Sequence, residues 1–205
     1  MFLGLDTLAE ALDVRGQVPG AFQGTGLITL GLLGTILALT VIVRRSTRGA
    51  TDGPRARLVL ASLIALGIGL HNLGEGLAIG AAYSLGEVAL GTFLVLGFLI
   101  HNTTEGLGIA APLAVDRPPL RSWLALGALA GLPTIAGAWI GGFVYSPLFA
   151  TLFLAIGAGA IFQVVYELVR MMVRQSGDEL MTSTNFAGFV AGLLIMYLTG
   201  LLVAG

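Results

Sequence analysis

Apolar residues fall into six long blocks, at about 24–43, 58–83, 88–115, 122–144, 148–171 and 185–204, each close to or above the roughly 20 residues a helix needs to cross a bilayer. Lipid offers no partner for backbone N–H and C=O groups, so apolar runs of this length predict helices. The breaks between them are short and leave no room for a soluble module. The pattern therefore predicts an all-α, polytopic membrane bundle of six transmembrane helices, one domain over 24–205. Residues 1–20 read differently. Leu5, Leu8, Ala9 and Leu12 recur at helical spacing with Asp6, Glu10 and Asp13 between them. This predicts a short amphipathic helix at the outer membrane interface. No basic stretch precedes it, so a cleaved signal peptide is not expected.

Composition strengthens the membrane reading: 56% of residues are hydrophobic and 10% charged, where a soluble domain carries about 25% charged residues. Cysteine is absent, which excludes disulfides and thiolate ligands. The ten basic residues are all Arg and lie in short connections, so no nucleic-acid footprint exists. Arg44, Arg45, Arg48, Arg55 and Arg57 lie between the first two spans, Arg117 and Arg121 between the third and fourth, and Arg170 and Arg174 after the fifth. With alternating spans these three connections share one side, and Arg15 alone lies on the other. The positive-inside rule then predicts both termini outside the cytoplasm, in a plasma (inner) membrane. Glycine numbers 31, with GxxxG spacing at Gly76/Gly80, Gly137/Gly141 and Gly188/Gly192. All three pairs predict close helix packing.

The candidate chemistry lies inside the greasiest segments. "HNLGEGLAIG" begins at His71 and "HNTTEGLGIA" at His101, and these hold the only histidines of the chain. Ionisable groups at mid-bilayer cost about 2.5–3.5 kcal/mol each on insertion scales, so they face a pathway or a partner. Each His lies about thirteen residues into its span, roughly 20 Å along the helix, and the two helices run antiparallel. The motifs can therefore meet near the midplane, where transporters commonly bind substrate. His71 and Glu75 are i and i+4, as are His101 and Glu105, so each pair shares one helix face, flanked by Asn72 and Asn102. Two imidazoles, two carboxylates and two amide oxygens suit a borderline divalent cation, Zn²⁺ first, with Fe²⁺ or Mn²⁺ as alternatives. A single His–Glu pair is as readily interhelical hydrogen-bond glue; two matched copies favour metal. Gln163 and Glu167 form a further i, i+4 pair on the fifth span. Glu167 reads either as an exit ligand or proton acceptor at the inner mouth or, slightly preferred, as a partner of Arg170 or Arg174. Thr182, Thr184 and Asn185 open the last span as caps.

In its paired motifs, HNLGEG and HNTTEG, the chain resembles the ZIP (Zrt/Irt-like) family of divalent-metal transporters. Two adjacent helices of that family, the fourth and fifth of eight, carry HNxPEG-type motifs that form a metal site at the membrane midplane. His71, Asn72 and Glu75 match the first motif, and His101, Asn102 and Glu105 the second. "AIGAGAIFQVVYEL" at 155–168 and "FAGFVAGLLIMYLTG" resemble the family's seventh and eighth helices. The resemblance implies a transporter moving a divalent metal toward the cytoplasm, with the metal as substrate and no organic cofactor. Three departures stand out. Gly74 and Thr104 replace the family's prolines. Two N-terminal helices are missing, a gap that homo-oligomerisation could fill. The 44–57 connection also lacks histidine, so regulation by metal binding there is not expected. The rival readings are a non-transporting metal sensor or scaffold related to ZIP and, less favoured, a metal-dependent membrane hydrolase. The hydrolase lacks an evident further acid, nucleophile or oxyanion donor, so an enzyme is not expected.

Overall fold

The computed structural model describes residues 1–46, 53–176 and 182–204. Seven α-helices account for most of these residues: α1 (Phe2–Val14), α2 (Gly24–Ser46), α3 (Pro54–Ser84), α4 (Val88–Ala110), α5 (Leu120–Phe143), α6 (Pro147–Ser176) and α7 (Ser183–Ala204). No strand occurs among the described residues. Helices α2 to α7 are each long and apolar enough to cross a membrane. The protein is an all-α integral membrane bundle. Arg48, counted above among the basic connections, lies outside the described residues.

Local chemistry explains the helix ends. Pro54 sits in the first turn of α3, where its missing N–H costs nothing. Thr182 caps α7 by accepting the Asn185 amide at 3.2 Å. Helices α3 and α4 run unbroken through Gly74 and Thr104. The Thr104 hydroxyl donates to the His101 carbonyl at 2.6 Å.

Helix α3 is the centre of the bundle and packs on α4, α5 and α6; α1 and α2 pack on α6, and α7 on α4. Ile64 and Ile68 of α3, Leu126 of α5 and Ile161 of α6 meet in the main core, with Ile109 and Leu113 beside them. The outer surface is apolar as well: Leu99, Leu107, Leu124 and Phe143 are all exposed. Such a surface belongs against lipid.

The GxxxG pairs divide into two kinds. Gly76 and Gly80 of α3 face Gly137 and Gly141 of α5 with backbone against backbone. A Cβ on Gly76 would stand 2.9 Å from the Ala138 nitrogen, and one on Gly80 would stand 2.6 Å from the Gly142 nitrogen. Gly188 and Gly192 of α7 meet nothing within 4 Å, so the expected close packing is absent there among the described residues. Arg57, near the start of α3, holds Asp116 of the α4–α5 connection through two hydrogen bonds of 2.7 and 2.6 Å. That pair places two of the Arg-bearing connections at one end of the bundle. The Arg57 guanidinium holds the Asp116 carboxyl below the usual aspartate range.

Helix α1 departs from a simple surface helix. Leu5 and Leu12 do face outward, as amphipathic spacing suggests. The opposite face carries the packing: Gly4, Thr7 and Ala11 are buried, at i, i+3 and i+7. These small residues let α1 lie close along α6. Gly4 sits beside the Phe162 ring and Ala11 in a small core with Ile28, Leu154 and Ala155.

Candidate metal centre

The repeated motif comes together as the antiparallel helices required. His71, Glu75 and His101 are buried, and their ligand atoms lie within 4.8 Å of one another. Glu75 is the hub of the group. One of its oxygens lies 3.2 Å from His71 Nε2 and also makes a very short contact with His101 Nε2. Its other oxygen accepts from Asn102 Nδ2 at 3.0 Å. Glu105 stands further out, 4.0 Å from His71 Nε2. The repeat in sequence is symmetrical, but the site is not.

The reason lies in what each helix packs against. Helix α3 is enclosed by α4, α5 and α6, so its His and Glu point into protein on every side. Helix α4 touches α3 and α7 and is otherwise open, so Glu105 sits at the margin. Asn72, the α3 counterpart of Asn102, turns toward α5 and donates its amide to the Ala130 carbonyl at 3.0 Å. It anchors the motif helix to its glycine-packed neighbour. The Phe98 ring lies one turn before His101, with ring centroids 5.2 Å apart.

Several atoms able to accept a hydrogen bond are buried here with no donor to answer them: His71 Nε2, Asn102 Oδ1 and both oxygens of Glu105. Asn72 Oδ1 is a further unanswered acceptor. Buried polar groups are normally paired, and each orphan costs about 1–3 kcal/mol. His71 Nε2 and a Glu105 oxygen, 4.0 Å apart, are both available to a cation beside Glu75 and His101. Comparison with protein-family models, curated proteins and solved structures finds no match. The site therefore stands on its own geometry.

Glu167 lies elsewhere. It accepts from Gln163 Nε2 at 3.2 Å, and its other oxygen is 3.9 Å from Arg170. The Gln163 amide oxygen also lies 3.1 Å from the Thr40 hydroxyl of α2. Gly157 marks where α6 passes the His71–Glu75–His101 group, since a Cβ there would stand 3.1 Å from His71 Cα. Glu167 is ten residues further along, about 15 Å at 1.5 Å per residue. It stands apart from the His71, Glu75 and His101 group, with Gln163 and Arg170 as its neighbours. Two residues close to the site gave no signal in the motif pattern. Gly157 is one glycine among 31. Thr7, 3.4 Å from His71 Nδ1, was hidden within the small-residue face of α1.

Proposed function

We propose that this chain is a membrane transporter that carries a divalent transition-metal cation, Zn²⁺ foremost, through the cluster between α3 and α4. The observation that carries this reading is the set of unanswered acceptors at His71, Asn102 and Glu105. Hydrogen-bond glue satisfies Glu75 and His101 but leaves those atoms without a donor. One dication answers several of them together. Glu75 and Glu105 balance its charge, and the two imidazoles favour Zn²⁺, Fe²⁺ or Mn²⁺ over Mg²⁺ and Ca²⁺. The likeness of both motifs to those of ZIP transporters supports the same reading.

His71, Glu75 and His101 are all less than 10% exposed, so the cargo is enclosed. Release then needs a movement that opens the cluster to one side and afterwards to the other. The glycine contacts between α3 and α5 favour those helices moving as one body, because backbone packed on backbone has no side chains to repack. By the positive-inside rule the Arg-bearing end faces the cytoplasm, and uptake runs toward it.

The test is Zn²⁺ flux into proteoliposomes, wild type beside Glu75→Ala. Saturable uptake is expected from wild type and should vanish in the variant. Near-normal uptake by Glu75→Ala would sink the site assignment. Metal binding without flux in wild type would turn the reading toward a sensor.

A further inference from the structure

We infer that Thr7 is a positioning residue for the metal site: its hydroxyl selects the tautomer of His71 that presents Nε2 to the cation. This deepens the metal-binding reading above, on which only its affinity consequence rests.

Thr7 Oγ1 donates to the Leu3 carbonyl at 2.8 Å, which commits its only proton. The same oxygen lies 3.4 Å from His71 Nδ1. With the hydroxyl proton used, that contact is a hydrogen bond only if Nδ1 carries the hydrogen and Thr7 accepts it. A neutral ring protonated at Nδ1 has its lone pair on Nε2. Nε2 lies 3.2 Å from Glu75 and 4.0 Å from Glu105, so the neutral ring chooses between an Nε2–H given to Glu75 and an Nδ1–H given to Thr7. The Thr7 contact favours the second, which leaves Nε2 as the ligating nitrogen. Metal-bound histidines commonly hold their other nitrogen in this way, and loss of such a partner typically weakens binding about 10–100-fold.

A bland reading exists, because threonines in membrane helices often bond the carbonyl four residues back. Thr29, Thr40, Thr92, Thr103 and Thr199 all do so here. Thr7 differs in two respects. It is the one polar member of the Gly4, Thr7, Ala11 face, and its oxygen reaches a histidine ring 64 positions away in the chain. Both partners are buried, at 5% and 3% exposure, so water does not compete for Nδ1.

The experiment uses ¹⁵N-histidine-labelled protein without metal, at alkaline pH. The chain has two histidines, and a His101→Gln sample assigns the spectrum. Wild type should show a protonated Nδ1 and an unprotonated Nε2 at His71. Thr7→Val keeps the shape but removes the hydroxyl; it should give mixed tautomers and Zn²⁺ binding weaker by about 10–100-fold. Thr7→Ser should restore both. An Nε2–H tautomer in wild type, or unchanged tautomer and affinity in Thr7→Val, would overturn the inference. If wild type binds no Zn²⁺, the metal reading fails alone, and the tautomer spectrum still decides the role of Thr7.

Discussion

Gly76→Ala is expected to damage the bundle and its site together, although it adds a single methyl group. The new Cβ would lie 2.9 Å from the Ala138 nitrogen and closer still to the Thr134 carbonyl oxygen. Ordinary contact at a carbon begins near 3.4 Å, and the opposing atoms are backbone, which cannot swing aside. Helices α3 and α5 must therefore part, by about 1 Å if the closest contact is to become tolerable. Asn72 Nδ2 and the Ala130 oxygen lie 3.0 Å apart across the same interface, and such a separation takes them beyond hydrogen-bond range. Overpacking costs about 1–3 kcal/mol. A buried amide left unpaired costs about 1–3 kcal/mol more. The combined loss is roughly 2–6 kcal/mol, large against the 5–15 kcal/mol typical of a domain. Gly188→Ala is the matched control: same motif, same substitution, but nothing within 4 Å. It should be neutral or gain up to about 1 kcal/mol from better helix propensity. Unfolding followed by circular dichroism in detergent micelles compares the two. Equal loss in both variants, or tolerance of Gly76→Ala, would refute the backbone-contact argument.

Other predictions address the ends of the bundle. Glu167→Gln should leave Zn²⁺ affinity at the cluster unchanged in calorimetry, because Glu167 lies about 15 Å along α6 from the position beside His71; an affinity loss above about tenfold would place it in the binding shell. The Arg57–Asp116 pair should give an acid-sensitive latch. Asp116 titrates below its unfolded value, so its contribution is present above the ordinary aspartate range and is lost as pH falls through the lowered value. Melts from about pH 7 to about pH 3 should show an acid-side loss in wild type that is smaller in Asp116→Asn, and identical pH profiles would count against the latch.

Much of this protein is legible without a structure. The six apolar blocks, the Arg-bearing connections and the paired His–Asn–Glu motifs are one-dimensional signals. Lipid turns long apolar runs into helices whatever they pack against, so helix number and the all-α class follow from the chain alone. The i, i+4 spacing puts each His and Glu on one face for the same local reason.

What the sequence could not show depends on which faces meet. Three GxxxG pairs look alike in one dimension, yet two interlock and Gly188/Gly192 meet nothing within 4 Å, because α3 and α5 lie backbone against backbone at the first two pairs while no described element lies against the third. Two equivalent motifs become a hub at Glu75 and a margin at Glu105, because α3 is surrounded and α4 is not. Asn72 and Asn102 diverge for that reason too, one turned to α5 and the other to Glu75. Thr7 and His71 lie far apart in sequence and meet only because α1 presents its small-residue face to α6. Spacing along a helix selects the face; its partner is set by packing among all seven helices, which no local pattern contains.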